Sequence, residues 1–466
     1  MKIAHLSQNI QLSLVNSLDS WLGINGYKSS VFYNNANTGK KPNYFFLKPQ
    51  STISAVLKKI YYTYTSPGIA NFSFFKQAIP NSELIKIINK YDIVHIHWVN
   101  YFLSMSNLNN LTSSLPVVIT VHDYQLLFGG CHFTEGCKNY LKNCIDCPQL
   151  KKELQAIAEK NFLIKKKILN CDNISFVHQN PTSVDYGKKI FPLANHSLIS
   201  CTINTNIFKP IFNIDEIKKK YKITNNEKVI LCSANYNCNT KGVDLLPKLI
   251  AGLNDDIKLI MIGNGFDHLK IKNNKILHIG YIDNPIIINE LYNISDIVFS
   301  TSTEETGPGT ACESLSSGTS FVGFAGVGNL NKMIKNDFNG FLVLENSLDQ
   351  LIYILNNKKF ITNKENIRND YIKNFDVNFY SKYSSIYKSA YSNFRKKSKI
   401  NEFEFIYDDF LIEDLSFQSF LQYFKKKFVQ FTHLLMSSKN FKKIWNKAIP
   451  LKFKFFLKNK YLNLFK

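Results

Sequence analysis

No apolar run in this 466-residue chain approaches the roughly 18 residues that a membrane-spanning helix needs. The opening stretch, MKIAHLSQNIQLSLVNSL, lacks a basic segment followed by an apolar core and a cleavage site. It reads as a strand and a helix, and a cytoplasmic protein is expected. No tandem repeat recurs at a solenoid period. Acidic residues are scarce and unevenly placed: 35 Asp and Glu face 57 Lys and Arg, for a formal charge of +22, and none occurs after Asp414. Part of that excess is a general Lys-, Asn- and Ile-rich composition, visible in KIKNNKI. The rest is local, because twelve lysines fall between Leu421 and Lys466 among phenylalanines. Basic and apolar residues mixed in this way suit an anionic bilayer, where each cation near the lipid adds about 1 kcal/mol. The segment 415–466 therefore reads either as a peripheral attachment to the inner face of the cytoplasmic membrane or as a helical subdomain with a solvated basic face. Nucleic acid is not expected as a partner, since no recognition motif accompanies the charge.

What is abundant points to globular cores. Hydrophobic residues make up 45% of the chain, with 37 Phe and 24 Tyr, and the length suits two domains and a remainder. The runs KIAHLS, KSSVFY, DIVHIHW, PVVITVHD and ISFVHQ read as buried strands, alternating with helix-period segments such as SELIKIINKY. A second series follows: KVILCSANY, DIKLIMIGNG, KILHIGYI, DIVFSTS and TSFVGFAG. Buried strands alternating with helices imply parallel, doubly wound sheets. The fold class expected is α/β with two Rossmann-like domains, covering 1–205 and 206–375. A closing helix over 376–396, assigned to the second half, and a basic, aromatic-rich extension over 397–466 complete the chain. Ligands of such sheets bind outside the carboxyl ends of the strands.

The stretch DIVFSTSTEETGPGTACESLSSGTSFVGFAGVG carries the most chemistry. A strand ends in a polar turn, then Gly307, Pro308 and Gly309 lead into a helix that contains Thr310 and Glu313. Glycines let a ligand approach the backbone, and free N–H groups at a helix start favour phosphate. Glu305 precedes that helix and Glu313 lies one turn inside it, so both carboxylates can accept hydrogen bonds from sugar hydroxyls. A glycosidase pair must flank its bond from two sides; two glutamates on one short element do that poorly, which leaves binding and orientation as their role.

This stretch resembles the donor-site signature of glycosyltransferase family 4, whose members have the GT-B fold and retain anomeric configuration. The resemblance implies that Glu305 contacts the donor sugar and Glu313 the nucleotide ribose. SANYNCNTKGVDLL is similar to the segment whose lysine binds the donor diphosphate, which nominates Lys241. IMIGNG resembles the family's central strand and turn, with Gly263 and Gly265. VVITVHDYQLLFGGCHFTEGCKNYLKNCIDCPQL is similar to a subgroup that makes bacterial surface polysaccharides. There His122 matches the cleft histidine, with Asp123 beside it to fix the ring or contact acceptor. The resemblance runs over about residues 1–395 and implies a retaining sugar transfer from a nucleotide-sugar donor to a glycan or lipid-linked saccharide, with no catalytic metal. His122, Lys241 and Glu305 would be its catalytic residues. The sequence departs from the pattern in places. Gly307 and Pro308 replace a phenylalanine-glycine pair, SQNIQLS replaces a glycine-rich turn, Cys201 and Asn204 replace an asparagine and an aspartate, and NCNTK offers Lys241 without a second cation. These departures and the basic tail leave two other readings open: a catalytically degenerate sugar-nucleotide-binding or membrane scaffold protein, and a GT-B nucleotide-sugar epimerase.

The loop 124–150 holds Cys131, Cys137, Cys144 and Cys147 at intervals of five, six and two residues. A tetrahedral zinc held by four thiolates would tie such a loop compactly, and being closed it would be structural. Four reduced, partly buried thiols are the alternative, and a cytoplasmic setting argues against disulfides. His5, His95 and His97 alternate with apolar residues on strands, where burial with hydrogen bonds is expected over metal ligation.

Overall fold

The computed structural model describes residues 1–397 except 9–12, 35–40, 49, 52–71, 76, 101, 202, 225, 234–238, 265–275, 345–346, 360–362 and 377–378. Gly265 and the basic segment 415–466 lie outside the described residues. Residues 1–406 form one compact unit.

The first half contains β1 (Lys2–Leu6), β2 (Lys28–Tyr33), β3 (Tyr44–Phe46), a small antiparallel pair β4 (Gln50–Ser51) and β5 (Gln77–Ala78), and then β6 (Ile93–Ile96), β7 (Val117–Val121), β8 (Ile174–His178) and β9 (Asn195–Leu198). Seven of these strands form a parallel sheet in the order β3-β2-β1-β6-β7-β8-β9. The second half contains β10 (Lys228–Ser233), β11 (Ile257–Ile262), β12 (Ile276–Gly280), β13 (Ile297–Phe299), β14 (Ser320–Phe324) and β15 (Gly340–Val343). They form a second parallel sheet in the order β12-β11-β10-β13-β14-β15. β6, β7, β8, β13 and β14 are buried at every position. Helices on both faces leave them no wet side, which is why they read as continuous apolar runs.

In each sheet the chain starts near the middle and winds outward both ways. The order reverses between β1 and β6 in the first sheet and between β10 and β13 in the second. At such a reversal the loops leaving the two strands diverge and open a crevice at their carboxyl ends. Lys241 follows β10 and Glu305 follows β13, so the topology alone delivers both to one crevice.

The closing helix runs Phe379–Lys397 and packs against the first half of the chain, not the second to which the sequence reading assigned it. Phe379, Tyr383, Tyr387 and Ala390 recur on one helical face and share a core with Ile3, Leu14, Leu18, Leu22, Ile93, Val118 and Val177. Two of its hydroxyls reach into the first sheet: Tyr387 pairs with His95 Nδ1 at 2.6 Å and Tyr383 with Thr120 Oγ1 at 3.1 Å. The preference is physical, because those tyrosines find polar partners on β6 and β7 that would otherwise be buried and unpaired.

Candidate active site

The crevice of the second sheet opens into a cavity of about 430 Å³ lined by Lys241, Gly263, Glu305, Gly307, Gly309, Thr310 and Glu313, with Ser233, Tyr281 and Ser302. Every donor-side residue nominated from sequence that falls among the described residues lies on this wall. Local conformation explains several placements. Gly263 sits at φ 123° as the chain leaves β11, a conformation that favours glycine. Gly242 has φ 62°, and a Cβ there would come within 2.1 Å of Thr301 O. That close approach draws the residue before it, Lys241, onto the loop after β13. The Lys241 ammonium donates to Glu305 Oε1, and the pair is only partly exposed, at 24% and 17%.

The helix Gly309–Ser316 begins without a side-chain cap; the amides of Gly309 and Ala311 donate to the carbonyls of Gly307 and Pro308 at 2.8 and 3.0 Å, which leaves the Thr310 amide at the helix start to face a ligand. A Cβ on Gly309 would meet nothing within 4 Å, so the space beyond the helix start is open. Glu313, one turn in, is partly buried on the cavity wall and accepts a hydrogen bond from Tyr292 Oη at 2.8 Å. Burial pushes its pKa up to about 7, against a smaller opposing pull from the Tyr292 hydrogen bond. A carboxyl poised near neutrality would ionise when further hydroxyls donate to it.

The loop after β13 also holds the first half of the chain. Thr306 Oγ1 donates to the backbone carbonyl of His122, and Asn180 Nδ2 donates to Thr306 O at 2.9 Å. Gly307 abuts the first half so closely that a Cβ would sit 2.3 Å from Gln179 Oε1 and 2.9 Å from Cys201 Cβ. The glycine at 307 is thus what allows this approach. Glu304 is gripped from the cysteine loop: Thr134 donates through its amide at 2.9 Å and its hydroxyl at 2.8 Å, and the amide of Glu135 donates at 2.8 Å. Glu135 at φ 47° and Gly136 at φ 80° form the tip of that loop. None of Glu304, Thr134, Gln179 or Asn180 was singled out from sequence. Only the doubled glutamate in TEET could have hinted at Glu304, whose partners lie about 170 residues away in the chain.

His122 does not line the donor cavity; it meets the donor loop through its backbone. Its Nε2 is paired with His97 Nδ1 at 3.3 Å, and His97 Nε2 with His5 Nδ1 at 3.1 Å. Burial lowers the pKa of His122 to about 4, with Asp123 pulling the other way, so the ring is neutral at physiological pH. Asp123 has a different place from the acceptor-facing one expected. It is buried, pairs with His132 Nδ1 at 2.8 Å and accepts the Gln125 amide at 2.9 Å. Burial alone would raise its pKa, but His132 and the Gln125 amide more than offset it and hold the carboxyl below its usual range. Asp123 therefore anchors the cysteine loop, and His97 rather than Asp123 pairs with the ring of His122.

His5, His95 and His97 are fully buried, as expected, and burial holds all three pKa values below the usual range. Among the described residues they form the group whose three ligand atoms all fall within 4.8 Å. His95 nevertheless engages both nitrogens with hydroxyls, those of Tyr387 and Thr120, so hydrogen bonding accounts for its position. The four cysteines, all free thiols, line a separate cavity behind the loop tip.

Residues 213–375, which span the second sheet, match the family described as Glycosyl transferases group 1. No curated protein matches the sequence. Among solved structures, the chain resembles sucrose-phosphate synthase from Thermosynechococcus elongatus, with a TM-score of 0.61 and 14% identity over 84% of this chain and all of that one. It also resembles WaaG, a glycosyltransferase involved in lipopolysaccharide biosynthesis, with a TM-score of 0.59 and 13% identity over 83% of this chain and 99% of that one. HepE of Anabaena, in complex with UDP and glucose, gives 0.56 and 15% identity over 84% of this chain and all of that one. The fold is GT-B, and together with the match over residues 213–375 it supports a glycosyltransferase.

Proposed function

We propose that this glycosyltransferase takes a nucleoside-diphosphate sugar as donor and transfers the sugar, with retention, to a glycan or lipid-linked saccharide of a surface polysaccharide. The observation that carries the donor assignment is the convergence of Lys241, Glu305, Glu313 and an uncapped helix start on one cavity of about 430 Å³. Cation and amide suit a diphosphate, and carboxylates suit sugar and ribose hydroxyls. That HepE, a protein of the same fold, is seen with UDP and glucose supports the same class of donor.

Negative charge develops on the leaving diphosphate as the glycosidic bond breaks, and fixed donors aimed at that charge lower the barrier most. Lys241 and the Thr310 amide at the helix start would supply them. The diphosphate would draw Lys241 away from Glu305 and release that carboxylate for the donor sugar. Glu313 would take the ribose, and His122, whose backbone carbonyl accepts from Thr306 Oγ1, would hold the donor loop from the first domain. In retention, the acceptor oxygen attacks from the face the diphosphate leaves, and the departing phosphate oxygen takes the acceptor's proton. The basic segment 415–466 would hold the enzyme on an anionic membrane near a lipid-linked acceptor; its deletion should abolish binding to anionic liposomes.

The test is ligand-induced thermal stabilisation across UDP-, GDP-, ADP- and dTDP-sugars, for the native protein and Lys241→Ala. One nucleotide class should stabilise the native chain and lose its effect in the variant. Product should then form only when acceptor is added. Stabilisation by no donor would overturn the reading in favour of a degenerate scaffold, and a changed donor sugar without acceptor would favour an epimerase.

A further inference from the structure

The proposed transfer makes no use of the four cysteines after β7, yet the loop that carries them is built around them. Cys131, Cys137, Cys144 and Cys147 converge on one cavity of about 20 Å³, whose exposed walls are almost wholly apolar and include Phe72, Phe128 and Ala158. That space is enough for one water-sized particle, but a water needs two to four polar partners. Thiol sulfur is a poor partner for water and a good one for a soft cation.

One backbone amide is aimed at these sulfurs: that of Asn139 donates to Cys137 Sγ at 3.3 Å. Amide bonds to a neutral thiol are weak, whereas bonds to a thiolate are charge-assisted. Asn143, Cys144 and Asp146 lie at φ 59°, 61° and 54°, a left-handed run that non-glycine residues adopt only when held there. This turn swings Cys144 and Cys147 onto the cavity from one side while Cys131 and Cys137 approach from the other. Close by, Lys165 is fully buried and donates through Nζ to the carbonyls of Gln125 and Phe128. Four thiolates and one divalent cation carry a net negative charge, and a buried cation beside them offsets it.

We propose that Cys131, Cys137, Cys144 and Cys147 bind one zinc-class divalent cation in a closed four-thiolate site. Loading draws the sulfurs inward to metal–thiolate distances of roughly 2.3 Å, and each coordinated thiol gives its proton to solvent. The site has no open coordination position, so its work is mechanical. It ties down the loop whose tip, Thr134 and Glu135, grips Glu304 next to Glu305. The metal assignment does not depend on the donor reading, because it is tested by metal content alone.

The experiment is elemental analysis of the full chain, expressed with added zinc and desalted under reducing conditions, beside Cys144→Ser/Cys147→Ser. The native chain should carry close to one zinc per molecule and the double variant less than about a tenth of that. Iron at the same stoichiometry, lost in the same variant, supports the same site. Should the double variant fail to fold, cobalt loading of the native chain decides the matter. Thiolate-to-cobalt charge-transfer and tetrahedral visible bands are expected, and both should disappear in Cys137→Ser. Metal-free native protein that gives no cobalt bands overturns the proposal, as does metal retained in full by the cysteine variants.

Discussion

Glu313 gives the sharpest quantitative handle on the donor site. Its carboxyl is partly buried on the cavity wall and accepts one hydrogen bond, from Tyr292, and burial pushes its pKa up from 4.5 to about 7. A carboxyl in the unfolded chain ionises near 4.5, so between pH 4.5 and 7 the folded state holds a proton that the unfolded state has lost. Stability then falls as pH rises through that window. At 1.36 kcal/mol per pKa unit, the cost is below about 1 kcal/mol at pH 5 and reaches about 3 kcal/mol at pH 8. Glu313→Gln keeps an acceptor for the Tyr292 hydroxyl and removes the ionisation. The variant should match the native chain in urea denaturation at pH 5 and exceed it by up to about 3 kcal/mol at pH 8. Nucleotide binding should weaken in the same variant, because a carboxylate is lost where the ribose would sit. A stability difference that does not grow with pH would refute the account of Glu313.

Three further outcomes follow from the site. If ribose hydroxyls donate to Glu313, nucleotide binding near pH 6.5 should release up to one proton per chain, read by calorimetry in buffers of different ionisation heat; no buffer dependence would count against that contact. Gly309→Ala should leave stability unchanged or slightly raised, because a Cβ there meets nothing within 4 Å, yet weaken nucleotide binding through the methyl it puts into the cavity. Gly307→Ala should cost about 1–3 kcal/mol in denaturation by forcing the donor loop off Gln179; Gly23→Ala, which also meets nothing within 4 Å, is the control.

Within the two large sheets, the strands that sequence missed share one position: β3, β9 and β15 are all edges of their sheets. An edge strand has one neighbour and is only partly covered: Phe45 and Phe46 of β3 are exposed, and β9 reads NHSL with no fully buried residue. Neither the continuous apolar run of a central strand nor a clean alternation marks such segments. Central strands were legible because both their faces are buried. Within the site, Lys241, Glu305 and Glu313 were legible because each lies in a local pattern of strand, turn and helix. Glu304 was not, since its meaning lies in amides of the other domain. The salt bridge of Asp123 was not legible for the same reason: its partner His132 sits across a loop whose course no short motif specifies.

The closing helix has a consequence for how the chain is made. The first sheet ends at Leu198, but its core is capped by Phe379, Tyr383 and Tyr387 from the far end of the second domain. A ribosome adding about 5–20 residues per second needs on the order of 10–40 s to cover that interval. Throughout it the nascent first domain exposes the apolar patch around Leu14, Leu18 and Leu22. The order of synthesis therefore completes the second domain before the domain that precedes it, and a chain truncated ahead of residue 379 leaves the earlier domain, not the later one, unfinished.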